Sequence, residues 1–156
     1  MGFVVFFFIS WLTILIFAIL NKKLSVIEGT FVFLVILIVN INFSWIIIDE
    51  LQLTSLTKKG LPYTGHLLNR SIVIPTITLI YVNLIYLYKT FLERFVLFIS
   101  FILLLMFISR LLVTFEILEF KNWRFWYDSI YYSILLLIGI LCYKGMNKVS
   151  RNVVKN

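Results

Sequence analysis

The residues able to do chemistry in this chain are few, and most stand inside apolar runs. Arg110 sits within FILLLMFISRLLVTFEILEF, residues 101–120, and Asn40 and Asn42 sit within a second run that ends at Asp49 and Glu50. An arginine at the centre of a membrane helix costs about 2.5–3.5 kcal/mol to insert. A charge so placed marks either a site or a residue near enough to an interface to escape. The functional reading is an outward-facing polar site, with Arg110 as an anion or headgroup anchor, Asn40 and Asn42 as hydrogen-bonding partners, and Asp49 or Glu116 as counter-charges. Arg110 and Glu116 are six residues apart, about 120° around a helix, so a partner for Arg110 must come from another helix. The structural alternative is that Arg110 snorkels outward or pairs inside the bundle to hold helices together.

A scan for catalytic groups finds little. No HExxH, G-x-S-x-G, P-loop or Cys-His arrangement occurs. Asp49 and Glu50 are neighbours and point about 100° apart on a helix, which is not a facing dyad. His66, the one histidine, lies in a Gly-flanked polar stretch with no metal-ligand spacing and reads as a capping or solvent-facing side chain. Cys142 is the single cysteine, which forbids an intrachain disulfide or a cysteine-based metal site. No cofactor or metal is expected. An intramembrane lipid-modifying enzyme would have to use Asp49, Glu50 or His66.

The elements that must position these residues follow from composition. With 62% hydrophobic and 13% charged residues and a mean hydropathy of +1.06, the chain lies far from the roughly 45–50% apolar, about 25% charged balance of soluble domains. It reads as all-α, a polytopic transmembrane bundle of five spanning helices in a single membrane domain. A span needs about 20 apolar residues, and the runs predict helices over 2–20, 26–48, 71–88, 95–118 and 129–143, followed by a basic tail, 144–156. Ser25-x-x-Glu28 before the second run is a capping box. Residues 51–70 read as a polar loop, with Lys-Lys-Gly, Leu-Pro and Thr-Gly as turn signals. Pro75 kinks the third helix or marks its first turns. With an end at residue 118, Arg110 lies about 13 Å deep, level with Asn40 and Asn42. Asn42, Trp45 and Asp49 share a helix face, read as bundle-facing, as do Thr76 and Asn83. With scarce Gly and Ala and no GxxxG, close helix contact is not strongly encoded.

The net charge of +7 reads as topology, not nucleic-acid binding. Lys22, Lys23, Lys89, Arg94, Lys144, Lys148, Arg151 and Lys155 fall on one side, outnumbering Lys58, Lys59, Arg70, Lys121 and Arg124 on the other. That bias puts the N-terminus outside and the C-terminus in the cytoplasm. Trp45, Tyr63, Trp123, Trp126 and Tyr127 form an outer aromatic belt; NWRFWYD reads as a membrane-interface anchor, not a nucleic-acid platform.

LLNRSIVIP (Leu67 to Pro75) and FEILEFKNW (Phe115 to Trp123), with the chain length and five apolar runs, resemble a family of small uncharacterised integral membrane proteins of endospore-forming Firmicutes. The resemblance implies a bacterial cytoplasmic membrane and a sporulation or envelope connection. It carries over no catalytic residues. The expected function is therefore a non-enzymatic membrane protein of accessory or binding type, with the lipid bilayer, a membrane-protein partner or a second copy as contacts. The alternative is a transporter, channel or flippase subunit built on Arg110, Asn40 and Asn42.

Overall fold

The computed structural model describes residues 1–153, with side chains described through Val149. Among these residues, five helical segments are long and apolar enough to cross a membrane. The protein is a multi-pass helical membrane protein. In chain order the elements are α1 (Gly2–Ile19), α2 (Val26–Trp45), a π-helical turn (Ile46–Glu50), β1 (Thr54–Leu56), α3 (Gly60–Leu68), a second π turn (Asn69–Val73), α4 (Ile74–Ile85), α5 (Phe91–Thr114), β2 (Leu118–Phe120) and α6 (Phe125–Val153).

Two ends can be told apart. Met1 and the connections 46–59 and 115–124 lie at one, the ribbon end; Leu20–Ser25, Tyr86–Thr90 and the last turns of α6 lie at the other, the tail end. At the ribbon end β1 pairs antiparallel with β2, Thr54 opposite Phe120 and Leu56 opposite Leu118. The Leu53 carbonyl accepts from the amides of Lys121, Asn122 and Trp123 at 3.0–3.2 Å. This ribbon, which apolar patterning did not announce, satisfies backbone groups that would otherwise face the membrane border unpaired.

The third span differs most from expectation. It begins at Gly60, not at residue 71, and runs through both helices and the second π turn to Ile85. The turn signals have other uses. Pro62 occupies the first turn of α3, where a missing N–H costs nothing. Gly65 lets α1 approach: a Cβ there would meet Ile117 Cδ1 at 3.4 Å and the Phe3 Cα at 3.5 Å. Every residue from Val73 to Asn83 is buried, so α4 is the central helix. α2, α5 and α6 pack against it, while α1 lies on α3, the second π turn and α4. Where it meets α6, a Cβ on Gly139 would come within 2.9 Å of Val82 Cγ2. Close contact is thus encoded by single glycines, with no repeat motif to advertise it.

Two further boundaries move. α5 begins at Phe91, capped by Thr90 and Glu93 in a capping box, and ends at Thr114 rather than residue 118. Glu116 adopts a left-handed φ of 53°, the Ile117 amide reaches the Leu112 carbonyl at 2.9 Å, and the Glu116 amide reaches Val113 at 3.0 Å. These two bonds make a Schellman stop, with glutamate where glycine is usual. α6 runs to Val153 and is the longest helix, absorbing most of the expected tail; residues 154–156, with Lys155, lie outside the described residues. The Ser25–Glu28 capping box forms as expected, and Asn147 of α6 adds a bond to Glu28 Oε1 at 3.2 Å.

Candidate polar site beneath the ribbon

The guanidinium that matters here is Arg70. It lies on the second π turn, whose cause can be read from Pro75. In π register the Ile74 amide bonds to the Asn69 carbonyl, so the Arg70 carbonyl would look to the amide of residue 75. Proline has none. The side-chain amide of Asn40 on α2 donates to that carbonyl instead, at 2.6 Å. Asn40 Oδ1 accepts from the Tyr131 hydroxyl of α6 at 2.5 Å. One buried asparagine therefore ties three spans together at the broken point of the third.

Beneath the ribbon is a cavity of about 80 Å³ walled by both π turns, α2, α3, α5, α6 and the strands. Into it are gathered Asn40, Ser44, His66, Asn69, Arg70, Ser109 and Asp128. Asp128, 6% exposed, accepts from Ser109 Oγ and from Trp123 Nε1, both at 2.8 Å. The Phe43 and Tyr131 rings stack at 3.7 Å, with Trp123 edge-on to Phe43. His66 Nε2 lies 3.4 Å from Ser44 Oγ. Three side-chain atoms in this wall, His66 Nδ1, Asn69 Oδ1 and Arg70 Nε, are buried with no hydrogen-bond partner. His66 and Asn69 are 6% and 2% exposed. Buried polar groups left unmatched cost about 1–3 kcal/mol each; here Arg70 Nε–H lacks an acceptor and Asn69 Oδ1 lacks a donor.

Outward of it lies a second space of about 370 Å³, lined by Asp49, Gln52, Tyr63 and Lys121 among others. The two share Ser44, Ile48, Thr54 and Arg70. Arg70 thus stands between an exposed polar vestibule and the inner cavity.

The expected site residues do not converge. Arg110 is exposed, with its guanidinium 5.6 Å from the centre of the Phe125 ring. Because α5 stops at Thr114, Arg110 lies one turn from the helix end, not 13 Å deep. Asn42 is exposed and bonds back to the Ile38 carbonyl of its own helix at 2.8 Å. Trp45 and Asp49 face outward with it, so that stripe is not bundle-facing. Glu116 is the exposed stop of α5. Of the five, Asn40 alone reaches the cavity, and Asp49 lines the vestibule. His66 is buried rather than solvent-facing, and Trp123 of the expected aromatic belt lines the cavity. Asp49 and Glu50 are exposed, and neither lines the cavity that His66 lines. At the tail end Asn83 does face inward, bonding the Lys23 amide at 2.7 Å and the Asn21 carbonyl at 3.0 Å.

A charge scan weighted towards long apolar runs passes over Arg70 and Asp128, since both stand at run ends. The available signal was Asn69-Arg70 five residues ahead of Pro75, a polar pair where a proline breaks the helix.

Compared with protein-family models, curated proteins and solved structures, the chain matches none. Fold and site define its class: a five-span helical membrane protein with a small cavity, lined in part by polar side chains, under a two-stranded ribbon.

Proposed function

We propose that this is a non-enzymatic binding protein of a bacterial cytoplasmic membrane, N-terminus outside, and that it receives an anionic group at Arg70. The observation that carries the reading is Arg70, whose Nε–H is buried without an acceptor and which lines both the cavity and the vestibule at the ribbon end; beside it the unmatched Asn69 Oδ1 calls for a donor such as a headgroup hydroxyl. A guanidinium is always charged and suits phosphate or carboxylate oxygens; in the vestibule Lys121 is offset by Asp49, and in the cavity the Asp128 carboxylate is engaged by Ser109 and Trp123, which leaves Arg70 as the group that would meet the anion. The Lys and Arg distribution and the resemblance stated above support the orientation and the membrane. The cavity is small, so it takes a headgroup or a small anion, not a whole lipid.

Trp123 supplies the readout. In a Trp11→Phe, Trp45→Phe, Trp126→Phe background, titration with glycerol 3-phosphate and with dihexanoyl phosphatidylglycerol should give a saturable fluorescence change. Arg70→Leu should abolish it and Arg110→Leu leave it intact. Response to the lipid alone identifies a headgroup, and response to both a free anion. No saturable change, or one untouched by Arg70→Leu, overturns the proposal.

A second reading, a transport or flippase subunit, draws support from the broken third span, because transporter sites form at discontinuous helices. Proteoliposome flux that disappears in Arg70→Leu would favour it over simple binding.

A further inference from the structure

At the tail end, away from the Arg70 cavity and independent of it, α1 and α2 leave a cleft. They are joined by the short turn Leu20–Ser25, yet α1 packs on α3 and α4 instead of α2. The space between is about 280 Å³, near the ~300 Å³ at which small-molecule sites begin. Its walls are mainly apolar, with Ile14 and Phe17 from α1, Phe33 from α2 and Leu79 from α4. It extends along α4 from Asn83 at the tail end to Thr76, seven residues or about 10 Å into the hydrocarbon.

Two features distinguish this cleft from a mere gap between helices. The first is Gly29. Glycine in a helix costs up to about 1 kcal/mol relative to alanine, and Gly2 and Gly139 are explained by neighbours within 3 Å of an added Cβ. Gly29 is not: a Cβ there would meet only Leu79 Cδ1, at 3.9 Å, an ordinary contact. Gly60 and Gly145 also have room for a Cβ, but both are exposed, whereas Gly29 is buried and lines the cleft, where a large side chain would fill it. The second is charge. Lys22 lines the mouth, its ammonium 5.2 Å from the centre of the Phe17 ring that forms one wall, and exposed Lys23 follows it. The nearby carboxylate, Glu28, lies outside the lining and is engaged by Ser25 and Asn147.

We propose that this cleft is a binding site for one anionic phospholipid, an acyl chain lying along Gly29 and the headgroup phosphate meeting Lys22. The apolar depth recognises the chain, and the lysine at interfacial height selects the charge. A basic residue at a membrane surface attracts anionic lipid by about 1 kcal/mol, so a Lys22 contact should appear as a several-fold preference.

The test is native mass spectrometry of the full chain in mild detergent, titrated with dioleoyl phosphatidylglycerol or dioleoyl phosphatidylcholine. Wild type should retain one phosphatidylglycerol at several-fold lower concentration than phosphatidylcholine. Lys22→Gln should equalise the two lipids. Gly29→Phe should remove the one-lipid adduct, and Ile14→Trp, filling the cleft from a position 49% exposed, does the same if Gly29→Phe fails to fold. Equal retention of both lipids by wild type, or adducts undiminished in the filled variants, overturns the assignment.

Discussion

Arg70 and Arg110 carry the same guanidinium on helices that both reach the ribbon end, and their surroundings give them opposite roles. Arg110 lies over Phe125 at the exterior, where a cation–π contact is worth about 0.5–1 kcal/mol. Arg110→Leu should therefore shift the thermal unfolding midpoint in detergent only slightly. Asn40 is the more sensitive residue although it carries no charge. Replacing it by leucine strands the Arg70 carbonyl and the Tyr131 hydroxyl inside the bundle. At about 1–3 kcal/mol for a buried unmatched group, Asn40→Leu should lower the midpoint clearly, while Asn42→Leu, which loses only a bond to its own helix, should not. Residue types were legible in the sequence, and their facing was not. Asn40 and Asn42 differ by two positions, enough on a helix to send one inward and the other to the exterior.

Elements explain why the inward set is where it is. Pro75 withholds the amide that the Arg70 carbonyl needs, and Asn40 supplies the substitute. Pro75→Ala restores a donor to the third span, so the destabilisation by Asn40→Leu should shrink in that background. A double-mutant cycle on unfolding midpoints reads this coupling, on the order of 0.5–3 kcal/mol for contacting groups, and strict additivity would refute the account of the π turn. The stop of α5 gives a second case. Glutamate in the left-handed region costs roughly 1 kcal/mol that glycine avoids, and Glu116 is exposed; Glu116→Gly should raise the midpoint. That stop escaped sequence reading because no glycine marks it, and the start was missed as well: the expected boundary at residue 95 passed over the Thr90-x-x-Glu93 capping box that begins α5. The glycines divide likewise: Gly139→Leu drives a side chain into Val82 and Thr78 and should destabilise by about 1–3 kcal/mol, while Gly29→Ala should be neutral or stabilising.

At the scale of the whole molecule, the two ends differ in chemistry. The ribbon end holds a small cavity lined by Arg70, Asn40 and Asp128 and, adjoining it, a polar vestibule; the tail end holds an apolar cleft lined also by Lys22. With the proposed orientation, a membrane-impermeant thiol reagent applied to intact cells should label Lys58→Cys and not Lys148→Cys in a Cys142→Ser background. The reverse pattern would invert the topology and assign the polar cavity to the cytoplasmic side. Five spans, their apolar cores and the Ser25–Glu28 start were determined by the sequence alone, because chain length, hydropathy and local capping act over one turn or one membrane thickness. The long third span was not, because its turn signals serve the helix itself and its neighbour, Pro62 in the first turn of α3 and Gly65 against α1, while the polar His66 and Arg70 line the cavity. Only the tertiary structure decided which arginine faces inward, that Asp128, Trp123 and Ser109 meet, and that β1 pairs with β2 across the chain. Those are contacts between residues distant in sequence, and no local periodicity encodes which face of one helix meets which face of another.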